Sequence, residues 1–191
     1  VLGFTDLTGG ELINDIIDLS VSKKIPIFTR IPGKHCVDAL LRVLLLKPDV
    51  KKFAESLSCV LSMRLIRLLC NNCRIPYQPH PTLLQKLGLP GGRIAELYKP
   101  MVYQPGMVDE NDIEIEPCSE CAGIGYRGRT GLFEMLTIND DIRRAIVKTP
   151  QANKISALAK HQGHISLQME GIVMVAAGRT SVEELQRVLK S

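Results

Sequence analysis

The chain has 191 residues, 45% hydrophobic, 23% charged and 4% aromatic, with no tryptophan and a net charge of +4. That balance excludes a disordered tail, which combines low hydrophobicity with high net charge, and it can fill the core of one domain or two small ones. No apolar run of about 18 residues exists, so no direct membrane insertion is expected. The start Val1-Leu-Gly-Phe lacks the features of a signal peptide, which predicts a cytoplasmic chain with reduced cysteines.

Taken in order, residues 1–22 carry four acids and no base. Within them, Glu11 to Ser22 places Leu12, Ile13, Ile16 and Ile17 on one face, which predicts an amphipathic helix. Ile25 to Ile31 alternates apolar and polar residues and reads as a short strand, with Pro26 at its start or on an edge. Residues 23–74 carry a net +8, including Lys34, Arg42, Lys51, Lys52, Arg64 and Arg67. This block reads either as a solvated surface or as an anion-binding face. Val37 to Leu46 predicts a helix broken by Lys47-Pro48. Asp49 then caps a predicted long helix to about Leu69, with Val50, Phe53, Leu57, Val60, Leu61, Leu65 and Leu68 near a 3.6-residue period.

From Cys70 the composition changes. Residues 70–121 hold seven of the eleven prolines, an acidic stretch from Asp109 to Glu116, and two Cys-x-x-Cys pairs. Beyond Leu136 the pattern is helical again. Asn139 caps one helix to about Lys148, a second ends at Gly163, a third runs from Ser166 to Gly178, and Thr180-Ser181-Val-Glu183-Glu184 is a capping box for the last.

Cys70-Asn-Asn-Cys73 and Cys118-Ser-Glu-Cys121 are separated by 44 residues. Two thiolates at i and i+3 grip one face of a zinc ion, and a second pair completes a tetrahedron. Four sulfurs leave no open coordination position, so the expected role is structural. The alternative is two unrelated reduced pairs. Cys36 and Cys59 lie in predicted helices and are expected to pack as small hydrophobes.

The second pair opens the string Cys118-Ser-Glu-Cys121-Ala-Gly-Ile-Gly-Tyr-Arg-Gly-Arg-Thr-Gly-Leu-Phe-Glu-Met-Leu136. Its first part resembles a single DnaJ-type zinc repeat, but its GYRGRTGLFEML continuation resembles the C-terminal region of the type II secretion and type IV pilus-assembly ATPases. The helix-like run Ala54 to Cys70 is similar to that family's approach to its first cysteine pair. Residues Ala159 to Gly163, Leu167, Gly171, Gly178 and Thr180 to Val188 resemble its closing helices. The resemblance implies an α/β fold: part of a RecA-like P-loop ATPase core without its P-loop (1–69), a tetracysteine zinc-binding subdomain (70–136) and a C-terminal helical subdomain (137–191). It also implies a hexamer, inner-membrane secretion platform partners, a location peripheral to the inner membrane through those partners, and ATP with Mg only in the context of the full-length family protein.

The family's phosphate chemistry is hard to find. No G-x-x-x-x-G-K-[ST] segment occurs in the 191 residues. A Walker B element of the form Gly-Glu-x-Arg-Asp meets Asp6-Leu-Thr-Gly-Gly10 without gaps, or Gly10-Glu11 after a shift. The family's His-Thr-Asn-Asp box meets Pro32-Gly33-Lys34-His35 without gaps, or His35-Cys36-Val37-Asp38 after a three-residue deletion, which keeps only the outer two residues. The resemblance makes His35, Asp38, Arg64 and Arg67 nucleotide-proximal and assigns no catalytic residue. For His35 and Asp38 the alternative is an ordinary helix start, and for Arg64 and Arg67 packing or a surface salt bridge. The expected function is a structural and subunit-interaction module of a secretion or pilus ATPase, with no hydrolysis by this chain alone. The alternatives are a fragment of an active ATPase and a nucleic-acid-binding zinc module. Sparse aromatics for base stacking argue against nucleic acid.

Overall fold

The computed structural model describes residues 1–4, 7–90 and 94–190. Asp6 of the expected Walker B segment lies outside them. A short strand, β1 (Leu2–Phe4), is followed by α1 (Gly10–Lys23), which buries Ile13, Ile16 and Ile17 on the predicted face. Glu11 sits exposed in the first turn of α1. Strand β2 (Ile27–Thr29) pairs parallel with β1, Leu2 opposite Ile27. Pro26 stands just before β2, and its carbonyl accepts the Leu2 N–H at 3.3 Å. Helix α2 (Cys36–Leu45) ends at Lys47-Pro48 as expected, with Lys47 at φ 59°.

The next element corrects the sequence reading. Asp49 does cap a helix, accepting the backbone N–H groups of Lys51 and Lys52 at 3.0 Å each. That helix, α3 (Val50–Ser56), is two turns long, and Cys59–Leu69 is a strand, β3. A leucine-rich run satisfies the 3.6 and the 2.0 period at once, so the pattern alone cannot choose between them. The strand's own alternation decides its faces: Val60, Ser62, Arg64 and Ile66 turn inward, while Leu61 and Leu65 are 53% and 65% exposed. In the expected helix both leucines would have faced the core. Cys59 is exposed on this strand, against the expectation of packing, whereas Cys36 is fully buried in α2.

Strand β3 pairs with β6 (Tyr126–Thr137). Between them lie β4 (Ile75–Tyr77), α4 (Pro81–Leu87) and β5 (Leu97–Lys99), with β4 and β5 antiparallel and Ile75 opposite Lys99. Four helices close the chain: α5 (Asp140–Lys148), α6 (Ala152–His161), α7 (Leu167–Ala176) and α8 (Val182–Lys190). Asn139 caps α5 by accepting the Ile142 N–H at 3.0 Å. No helix among the described residues is long and apolar enough to cross a membrane.

Packing groups the chain into two compact units, each assembled from two separated stretches. The first comprises Val1–Met63 with Phe133–Ser166, the second Arg64–Leu132 with Leu167–Ser191. The first unit's core gathers Ile13, Val37, Leu40, Phe53, Leu136, Ile142, Ile146 and Ile155. The second unit's core gathers Ile66, Leu97, Leu132, Leu167, Val175, Leu185 and Val188. Leu97 of β5 is fully buried there, so the proline-rich spacer contributes to a shared core.

Candidate metal centre and flanking polar networks

Strand β3 runs directly into the first cysteine turn, and the second turn runs into β6. Pairing of these strands therefore brings the two turns together, whatever the length of the spacer between them. The Cys70 N–H donates to the Gly125 carbonyl at 3.0 Å, joining the ends of the two turns. Gly125 sits at φ 76°, and a Cβ there would lie 2.6 Å from Pro100 Cβ, so both conformation and space require glycine.

The ligand atoms of Cys70, Cys73, Cys118 and Cys121 all lie within 4.8 Å of one another. Cys70 Sγ is 3.9 Å from Cys118 Sγ, and Cys73 Sγ is 3.5 Å from Cys121 Sγ. A tetrahedron with metal–sulfur bonds of about 2.3 Å has edges of about 3.8 Å, so the set fits a four-coordinate ion such as zinc. The surroundings suit thiolates: Asn72 Nδ2 donates to Cys118 Sγ and the Gly125 N–H to Cys121 Sγ, both at 3.3 Å. Donation from Asn72 lowers the Cys118 thiol to about 7, while burial and neighbouring thiols push Cys73 up. Beside the cluster, Arg127 pairs with Glu120, inside the second cysteine turn.

A second polar feature of this unit was not foreseen. Glu184 is buried, with a side chain 0% exposed. Its Oε1 accepts the Arg67 backbone N–H at 3.0 Å, and its Oε2 accepts Arg67 Nε and Nη2 at 2.9 and 2.6 Å. Arg187 adds Nε to Oε2 and Nη2 to Oε1, both at 2.7 Å. Burial alone would raise the Glu184 carboxyl, but the hydrogen bonds from Arg187 and Arg67 outweigh it and hold the group at about 2. Arg67 also lies 4.1 Å over the Tyr126 ring. The capping box is half realised: Ser181 Oγ accepts the Glu184 N–H at 3.2 Å, but the carboxylate turns to the arginines. The partner of Glu184 lies 117 positions away in the chain, which no local motif signals.

In the first unit, His35 and Asp38 are placed by helix α2. His35 Nδ1 accepts the Asp38 N–H at 3.3 Å as the N-cap. Asp38 Oδ2 accepts the Lys34 N–H at 2.8 Å and Arg42 Nε at 2.9 Å, and the Lys34 bond does most to hold its carboxyl below the usual range. The first turn of α2 has a further anchor in buried Glu134, whose Oε1 accepts the Cys36 N–H at 3.1 Å and lies 3.2 Å from His164 Nε2. Cys36, Glu134 and His164 are close together but do not form a nucleophilic triad. The Cys36 thiol donates to the carbonyls of Glu134 and Val60 at 3.1 and 3.2 Å, and burial, aided by the Glu134 charge, pushes it up to about 12. Glu134 lies near the end of the GYRGRTGLFEML string, so its motif was visible in the sequence while its partner was not. Arg64 lies in the second unit on β3.

Comparison with known proteins bears on the family and on the fold. The model of the family described as "Type II/IV secretion system protein" matches residues 28–187. The chain belongs to this family. Among curated relatives, the type IV pilus assembly ATPase PilB of Thermus thermophilus is 35% identical over 128 residues, covering 66% of this chain and 13% of that protein. Type II secretion system protein E of Dickeya dadantii is 36% identical over 137 residues, covering 72% of this chain and 24% of that protein. This member of the family thus spans a quarter or less of the length of these relatives. The mixed α/β fold resembles that of the Yersinia pseudotuberculosis ATPase DotB, with a TM-score of 0.52 at 10% identity over 97% of this chain and 36% of that one.

Proposed function

We propose that this chain is a C-terminal portion of a type II secretion or type IV pilus-assembly ATPase. It acts as a structural and subunit-interaction module, with zinc held by Cys70, Cys73, Cys118 and Cys121. The observation that carries the zinc assignment is the four-sulfur cluster, with ligand atoms within 4.8 Å of one another. All four positions are filled by protein, so the ion would hold the two cysteine turns together and offer no site to a substrate. Residues 1–69 then represent the later part of a RecA-like core, 70–136 the zinc subdomain and 137–191 the helical subdomain.

No Walker A segment occurs in the 191 residues, which supports the reading that this chain alone does not hydrolyse ATP. Within a hexamer, the proposal places His35, Asp38, Arg64 and Arg67 near nucleotide, and the inner-membrane platform of a secretion machine as the partner. The location is then cytoplasmic, peripheral to the inner membrane. A second reading, a part of an active ATPase, is favoured by the small share of the relatives' length that the chain covers. A hydrolysis assay separates the two on the 191-residue chain and on a chain extended by a P-loop segment. Hydrolysis by the 191 residues alone contradicts the first reading, and hydrolysis only by the extended chain supports the second.

A further inference from the structure

The four sulfurs of the candidate metal centre differ in reach. Cys73 and Cys118 are partly exposed, while Cys70 and Cys121 are buried. Two close approaches run between the turns: Cys118 Sγ lies 3.9 Å from Cys70 Sγ, and Cys73 Sγ lies 3.5 Å from Cys121 Sγ. Each accessible sulfur thus faces a buried one on the other turn. The surroundings hold both pairs in place. Asn72 Nδ2 donates to Cys118 Sγ at 3.3 Å, the Gly125 N–H donates to Cys121 Sγ at 3.3 Å, and the Arg74 N–H closes the first turn on the Cys70 carbonyl at 2.9 Å.

We propose that this cluster is also a site of reversible oxidative modification, at which a peroxide converts the four thiols into two disulfides between the turns, Cys70–Cys118 and Cys73–Cys121. An accessible sulfur beside a buried resolving partner is the arrangement that such chemistry needs. The Cys118 thiolate attacks one peroxide oxygen: an S–O bond forms, the O–O bond breaks and hydroxide leaves. The Cys70 thiolate then attacks the resulting sulfenic acid at sulfur, forming the S–S bond and expelling a second hydroxide. Cys73 and Cys121 repeat the sequence with a second peroxide. Four thiolates give up four electrons, and the two peroxides leave as four hydroxides. The pairing decides what happens to the fold. Each bridge joins residues 48 positions apart and ties the same two turns that the proposed zinc ties. Closing so long a loop restricts the unfolded chain more than closing a short one. Bridges inside Cys70–Cys73 and Cys118–Cys121 would leave the turns untied. The oxidised chain therefore keeps the region between the cysteine turns closed without metal, while losing the thiolates a metal requires.

The inference rests on the proposed zinc only for the release of metal, since the pairing is read from the sulfur positions themselves. Its test uses the 191-residue chain, as purified and after metal removal by chelator. Both samples are treated with excess hydrogen peroxide, alkylated and digested without reductant, and their bridges are mapped by mass spectrometry. A Cys59→Ser chain serves alongside, because it removes the exposed thiol outside the cluster. Cys70–Cys118 and Cys73–Cys121 are expected as the dominant bridges, and dithiothreitol should reverse both. In the metal-loaded sample about one zinc should be released per two bridges formed. The oxidised chain should resist proteolysis between residues 78 and 117 with chelator present, and the reduced chain should lose that resistance. Bridges within each turn, irreversible oxidation to sulfinic acid, or cluster thiols of the metal-free chain that survive peroxide would overturn the proposal. Cross-turn bridges in a chain that never held metal uphold it and remove the zinc reading. Bound zinc in a chain whose metal-free form resists peroxide does the reverse.

Discussion

The single buried thiol of the first unit and the four clustered sulfurs of the second show two ways for cysteine to be held inside a protein. Cys36 is a core residue: burial raises its thiol to about 12, and its one S–H is shared between two carbonyls. Cys70, Cys73, Cys118 and Cys121 face one another, with amide donors directed at two of the sulfurs. The difference extends to the units around them. The first unit packs an apolar cluster from Ile13 to Ala159. The second has an apolar core as well, but it ties its segments with a four-sulfur cluster and a buried ion-pair network. The lesson is that one unit should respond mainly to lost volume, and the other to lost charge or metal.

The largest effect is expected from the sulfurs. Replacing Cys118 with Ser removes one ligand of the proposed zinc, and metal binding in small domains contributes on the order of 10 kcal/mol. Limited proteolysis should then cut rapidly between residues 78 and 117, whereas Cys36→Ser should leave that region protected. Equal protection of the Cys118→Ser chain would remove the contrast between the two kinds of cysteine. Next in size is a cavity in the first unit. Ile146 is fully buried, and Ile146→Ala should cost about 2–5 kcal/mol in denaturant unfolding, independent of added chelator. Sensitivity of that cost to chelator would show that the units do not respond separately.

Glu184→Gln comes third, at about 2–3 kcal/mol. A broken buried pair costs more, but Arg67 and Arg187 are 35% and 56% exposed and recover part of their hydration. The pH dependence follows from the carboxyl held at about 2 in the folded chain, against an ordinary value of 4.5. A depressed value stabilises the fold fully above about 4.5, and that contribution is lost as the pH falls toward 2. The stability gap between the original chain and Glu184→Gln should therefore be constant from pH 5 to 7 and shrink below 4.5. Comparing the two proteins at each pH cancels acid release of metal. The smallest effect is kinetic: exposed Cys59 should react with a thiol reagent at pH 8 far faster than Cys36 in the folded protein. Similar rates would remove the buried, protonated thiol from the account.

Local signals in the sequence were legible where one residue decides the outcome. Asp49 and Asn139 cap their helices, Lys47-Pro48 ends α2, and the isoleucines of α1 face inward. The four cysteines could be read as a set from their pairing alone. What brings them together could not, because β3 is leucine-rich and reads as helix, while β6 carries Gly128 and Gly131, which weaken any strand signal. The networks around Glu184 and Glu134 were hidden for another reason. Each joins residues about a hundred positions apart, and only the tertiary fold places them in contact.

The central claim is that the four clustered sulfurs hold one metal ion. Native mass spectrometry of the chain purified without added metal, followed by thiol titration in the folded state, tests it directly. The account predicts about one zinc per chain, with Cys70, Cys73, Cys118 and Cys121 unreactive until a chelator is added. A metal-free chain in which all four thiols titrate at once would contradict it.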